Sequence, residues 1–171
     1  MSGSSAAADE RRRVEVSRTF PVDASVAFAW VADTATHPRW IPLTRAEHEG
    51  AHEGGLPAVG QEFTMVSGPF ALRGAPGFPD RMRVEECTPP QGVRPGTTRV
   101  RKLGPALLGD AGFEVWPLDA GRSRVVWWED VHMAGPVPRT VTGPVVDALL
   151  RQMMRASLGR LGRLIRHGAT P

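Results

Sequence analysis

The sequence predicts an α+β fold in which one long C-terminal helix lies across an antiparallel sheet. Two patterns predict it. Segments of period-two alternation, separated by Gly- and Pro-containing turns, run from Gly60 to Met133. From about Thr140 to His167 the apolar residues recur instead at spacings of three and four, as on one side of a helix. One strand, a short helical pair, a run of strands and a closing helix is an α+β order. The 171 residues suit one domain, expected over 12–167, with a disordered tail at 1–11 and a short tail at 168–171.

Each element has a local cause. Val14, Val16, Arg18 and Phe20 alternate with Glu15, Ser17 and Thr19, which predicts a strand that Pro21 ends. Asp23 is placed to cap a short helix, with Val26, Ala27, Trp30 and Val31 on one side. Thr34 to Pro42 is a break with room for one helical turn. Further strands are expected at Gly60–Val66, Asp80–Thr88, Thr97–Leu103, Gly112–Leu118 and Ser123–Met133. The last two join through Asp119-Ala120-Gly121, a hairpin signal. Gly68 to Pro79, rich in Gly and Pro, reads as a long mobile loop. In the closing helix Val146, Leu150, Met153, Ser157, Leu161 and Leu164 form one apolar stripe. Gly159 and Gly162 weaken its last turns by about 1 kcal/mol each relative to Ala.

Composition narrows the function classes. A single cysteine, Cys87, excludes an intrachain disulfide and a Cys-rich zinc site. No apolar run approaches the roughly 18 residues of a membrane span, and residues 1–10 lack the features of a signal peptide, so a cytoplasmic protein is expected. The formal charge is +3, with Lys102 the one lysine among 21 basic residues. The Arg cluster of the closing helix reads as a solvated face, so no specific nucleic-acid partner and no stable membrane insertion are expected.

His48-Glu49-Gly50-Ala51-His52 formally satisfies the zinc pattern H-E-x-x-H. That chemistry needs a helix, and Gly50, Gly54, Gly55 and Pro57 argue against one. In a strand the two histidines would lie about 13 Å apart, too far to share a metal. The Gly-rich stretch at 68–77 lacks both the Gly-Lys-Ser/Thr signature and a following helix, so it is no phosphate cradle. Cys87 has no local partner for nucleophilic chemistry and reads as a packed residue. No metal and no cofactor are implied.

Three stretches carry a family resemblance: Val14 to Trp40, Gly112 to Asp130 and the helix Val145 to Ile165. Phe28, Asp33, Pro38 and Trp40 match the opening pattern. Together they resemble the START-like SRPBCC superfamily, in its branch of polyketide cyclases, dehydrases and lipid-transport proteins. The resemblance implies a helix-grip fold, a curved antiparallel sheet around the long helix with an apolar cavity between them. It also implies a strand across the His48–His52 region. Family members bind lipids, polyketides, steroids or hormones, and some are cyclases, aromatases or dehydratases.

Parity then assigns faces. With Phe113 and Val115 toward the helix, Val125, Trp127 and Glu129 also point inward, while Trp116, Val126, Trp128 and Asp130 point out. The expected ligand-lining set is Phe63, Met65, Met82, Val84, Phe113, Val115, Trp127, Leu150, Met153, Met154 and Ser157. Glu129 is the candidate acid/base residue if it faces the cavity, where apolar surroundings would raise its pKa. The leading function is binding of a small hydrophobic or amphipathic ligand. The alternatives are a cyclase, aromatase or dehydratase acting in the same cavity, and an interaction protein whose core is filled. The sequence offers no Tyr and no evident dense set of inward polar groups, which weighs against a cyclase. Outward Trp116 and Trp128 are expected to be covered by the long loop or by a second subunit, in a homodimer formed through the outer sheet face.

Overall fold

A computed structural model describes residues 13–48, 54–119 and 121–171. The expected N-terminal tail and Glu49–His52 of the H-E-x-x-H pattern therefore lie outside the described residues. Seven antiparallel strands form one sheet: β1 (Val14–Phe20), β2 (Thr44–His48), β3 (Glu62–Ser67), β4 (Phe78–Thr88), β5 (Gly96–Pro105), β6 (Leu107–Asp119) and β7 (Arg122–Met133). Their spatial order is β1-β7-β6-β5-β4-β3-β2, a meander whose first strand closes onto its last. Helix α1 (Ala24–Ala32), a 3-10 turn and the single-turn α2 (His37–Trp40) follow β1, and α3 (Arg139–Arg166) closes the chain. This is the helix-grip α+β architecture.

Helix α3 packs on β1, β7 and α2, not across the whole sheet. Its fully buried residues are Met154, Ser157, Leu158 and Leu161, so its contact stripe is rotated by about one residue from the one read from sequence. Leu150, Met153 and Leu164 stand at the edge of that stripe, only partly buried. The side chain of Arg18 of β1 lies against the helix beside the two glycines. A Cβ on Gly162 would stand 3.0 Å from Arg18 Nε, and one on Gly159 3.8 Å from its Nη1. The glycines make room for an arginine rather than ending the helix.

Helix α1 is buried on most of its circumference. Ala27, Phe28, Trp30 and Val31 are inside, whereas Val26, expected in that set, is 38% exposed. The Arg39 guanidinium lies 4.4 Å over the Trp30 ring and closes its outer side. Asp23 precedes the helix but its side chain makes no cap hydrogen bond. Its Oδ1 instead accepts from the Gly121 backbone N–H at 2.8 Å, which clasps the β6–β7 turn. Asp33 acts similarly at the other end. Its Oδ1 accepts from Ala35 N at 2.9 Å and its Oδ2 from Gly55 N at 2.7 Å.

The Gly/Pro-rich segment after β3 is more ordered than its composition suggests. It contains a 3-10 turn at Ala71–Arg73, and β4 already begins at Phe78. Ala71 is fully buried. The Arg45 guanidinium donates to the carbonyls of Ala71 at 2.9 Å and Ala75 at 2.7 Å, which anchors the segment to β2. On the outer face, Trp128 lies against Gly112, where a Cβ would meet its Cζ2 at 2.9 Å. The Arg13 guanidinium covers the Trp128 ring at 4.6 Å and Arg13 also pairs with Glu114 at 2.9 Å. Trp128 is thus covered from within the chain, while Trp116 stays 42% exposed.

Removing one helical glycine tests this account of α3. Gly159→Ala should stabilise the protein by about 0.5–1 kcal/mol, because the helix gains propensity and the new methyl has space. Thermal unfolding should shift upward by about 2–4 °C for each kcal/mol.

Candidate ligand site

The inner face of the sheet encloses a cavity of about 290 Å³. Its walls come from α1, α2, β3–β7 and one turn of α3. The apolar wall is set by parity along the strands. Phe63 and Met65 of β3, Met82 and Val84 of β4, and Phe113 and Trp127 of β6 and β7 all line it, as does Met153 of α3. Four residues of the expected set do not. Val115 is completely buried, next to the register of Gly96 and Val125 and away from the cavity. Met154 is packed in the core, and Leu150 lies against that core. Ser157 turns back on its own helix, donating to the Met153 carbonyl at 2.8 Å. Of the described residues of α3, Met153 alone lines the cavity.

Aromatic residues brace one side. The Trp40 ring stands 5.9 Å from Trp127 and 6.1 Å from Phe113, and Phe113 lies 5.0 Å from Trp127. Edge-to-face contacts of this kind add directionality to apolar burial. Trp40 Nε1 donates to Thr36 Oγ1 at 3.2 Å, and that hydroxyl donates to the Trp30 carbonyl at 2.6 Å. His37 lines the cavity with its Nε2 3.0 Å from the Val31 carbonyl oxygen. A carbonyl only accepts, so Nε2 carries a proton.

Polar groups stand among these apolar ones, contrary to the expectation that no dense inward polar set exists. Asp80 of β4, Glu86 of β4, Thr98 and Lys102 of β5, and Glu129 of β7 all line the cavity. Lys102 Nζ lies 2.5 Å from Asp80 Oδ2 and 3.3 Å from Glu129 Oε2. Lys102 and Glu129 are 5% and 2% exposed. Strand β6 separates them, and its residues paired with Lys102 and Glu129 are Gly109 and Ala111. At Gly109 a Cβ would collide with the Asp130 carbonyl oxygen of β7, so the glycine is required by the close approach of β6 and β7. Asp80 Oδ1 and Glu129 Oε2 have no hydrogen-bond partner among the described residues. The Lys102 ammonium therefore attracts Glu129 as a charge without a well-aligned hydrogen bond.

Burial alone would lower the Lys102 pKa, but the charges of Glu129 and Asp80 outweigh it and the ammonium is pushed up to about 12. Burial pushes the Glu129 carboxyl above its ordinary range, Lys102 opposes this, and Asp80 reinforces it. Lys102 thus holds its charge and Glu129 is the group poised to take a proton. Cys87 is outside this site, and burial together with Glu86 pushes its thiol up, away from nucleophilic use. Among the described residues no cluster of His, Cys, Asp and Glu is arranged to hold a metal.

A curled sheet, a gripping C-terminal helix and an internal cavity between them define a START-like, SRPBCC-type protein. The chain belongs to the polyketide cyclase/dehydrase and lipid transport family, whose model matches residues 11–166. No curated protein matches the sequence. Among solved structures, a START superfamily protein from Mycobacterium smegmatis is similar at 16% identity, with TM-score 0.67 over 91% of this chain and 97% of the other. A hypothetical protein from Helicobacter pylori is similar at 15% identity, with TM-score 0.69 over 92% and 90%. An aromatase/cyclase from a Streptomyces species is similar at 16% identity, with TM-score 0.64 over 94% and 99%. At these identities the likeness is one of fold. Among the described residues no helix is long and apolar enough to cross a membrane.

The buried triad makes two predictions. Lys102→Met leaves two inward carboxylates without their cation and should destabilise the fold by about 3–5 kcal/mol. Pairing it with Asp80→Asn and Glu129→Gln should recover most of that loss in urea unfolding. The pH dependence has a definite sign. The Lys102 contribution is complete below its ordinary 10.5 and is lost as pH rises toward about 12. Glu129 stabilises while protonated and loses that contribution as pH rises above its ordinary 4.5 through its raised value. Unfolding midpoints of Glu129→Gln should therefore fall less than those of the parent as pH rises from 4.5 toward neutrality.

Proposed function

We propose that the protein binds a small hydrophobic or amphipathic molecule in the cavity between sheet and helix. The observation that carries this reading is the 290 Å³ space lined by aromatic and methionine side chains together with the buried polar groups of Thr98, Lys102 and Glu129. Its volume is at the small end for ligand sites, which run about 300–1,000 Å³. Apolar burial would supply affinity, and the polar groups would set orientation. Met65 and Met82 suit a wall that adapts to its occupant.

A second reading has its own support. Glu129 is a buried carboxyl held toward its neutral form beside a charged lysine, an arrangement suited to general acid/base work. The family includes cyclases and dehydrases, and a structural neighbour is an aromatase/cyclase. On this reading the cavity would hold a substrate with carbonyl groups, and Glu129 would donate or accept the proton.

Two substitutions separate these readings. Met65→Trp should fill the cavity and weaken ligand binding at least about tenfold, read as loss of Trp127 fluorescence quenching, with the folded state retained. Glu129→Gln should abolish turnover of a poly-carbonyl substrate while binding survives if the site is catalytic. Turnover unchanged in Glu129→Gln would remove Glu129 from the chemistry.

A further inference from the structure

The cavity is electrostatically unbalanced. Asp80, Glu86 and Glu129 bring three carboxyl groups to its wall, and Lys102 is the only lysine or arginine among the described lining residues. Lys102 is already engaged by Asp80 Oδ2 and Glu129. Glu86 Oε1 accepts a hydrogen bond from the Thr97 hydroxyl. Among the described residues Asp80 Oδ1 has no hydrogen-bond partner, and Glu129 Oε2 has the Lys102 ammonium 3.3 Å away without an aligned hydrogen bond. Glu129 is almost completely buried. A buried acceptor with no donor is unfavourable, and more so when it carries charge.

From these positions we infer that the cavity selects an amphipathic amine: an apolar body against the Phe113 and Trp127 wall, and a protonated amino group donating to Asp80 Oδ1 and Glu129 Oε2. The inference rests on reading the cavity as a ligand site and names the polar end of its occupant. An ammonium has only donors, which suits these two carboxylate oxygens. It also brings positive charge beside Asp80 and Glu129, which would favour the ionised form of Glu129 against the burial that holds it toward its neutral form. A carboxylate or phosphate at the same place would add negative charge and a further acceptor. An alcohol could donate one hydrogen bond but would bring no charge.

A matched series tests this in the full-length protein near neutral pH. Phenylbutylamine, phenylbutanol and phenylbutyrate share one apolar body and differ in the polar end. Binding of each would be measured by calorimetry and by tryptophan quenching, with naphthalene as a ligand that has no polar end. The amine should bind at least about tenfold tighter than the alcohol, and the carboxylate weakest of the three. Asp80→Asn should remove about tenfold from amine binding and leave the alcohol within about twofold. If that variant does not fold, the isosteric Glu129→Gln carries the same comparison. Phenylbutyrate binding as tightly as the amine, or an alcohol equal to it, would overturn the inference. So would binding of naphthalene alone, which would leave the cavity reading standing. If none of the four binds, the cavity reading falls and the amine inference falls with it.

Discussion

A single helix is too narrow for the sheet it closes. Seven strands at about 4.8 Å spacing span roughly 30 Å, whereas a helix with its side chains is about 10–12 Å across. Helix α3 therefore covers β1 and β7, while α1 meets β5, β6 and β7 at one end and α2 meets β2. Away from the end that α1 covers, the inward positions of β3, β4 and β5 have little helix over them. They must be filled by long side chains or left around a space. In this protein the aromatic group of Trp40, Phe113 and Trp127 fills part of the interior, and the rest is cavity.

That uncovered region is also where the ionic residues lie. Asp80, Lys102 and Glu129 come from three different strands and occupy inward positions that a core would ordinarily give to Leu or Val. Replacing such a set with apolar residues is often neutral or favourable for stability. Stability alone therefore does not explain its presence. The set brings charge to a cavity whose other lining is largely aromatic and aliphatic.

Much of this was legible in the order of residues. Alternation in Val14–Phe20 predicts β1 to the residue, and the change to helical spacing after Thr140 locates α3 within one residue of its start. Parity from Phe113 places Val125, Trp127 and Glu129 inward, where they lie. Other features depended on contacts distant in sequence. Arg18 of β1 lies against α3 at Gly159 and Gly162, a contact that no local pattern shows. The Asp23 carboxylate bonds to Gly121, not to its own helix. Lys102 was overlooked although a signal was present: within β5, Gly96, Thr98, Lys102 and Gly104 form the buried alternate set. A lysine on a buried parity, and the sole lysine of the chain, is a polar residue at an inward position. The partners that justify it are Asp80 and Glu129; a register shift between Arg81 and Met82 hides the alignment of Asp80 with it, and Glu129 lies two strands away.

The pairing of β1 with β7 has a consequence for biosynthesis. Val14 lies opposite Glu129 and Phe20 opposite Ser123, so among the described residues the first strand pairs with the last. On the ribosome, β1 and the apolar α1 emerge long before anything can cover them. The meander from β2 to β7 can assemble hairpin by hairpin, but the grip cannot close until β7 and α3 have left the exit tunnel. Closing so large a loop is entropically slow compared with local pairing. The nascent chain thus carries Phe28, Trp30 and Val31 uncovered for most of its synthesis. That interval is when a holding chaperone has the most to bind.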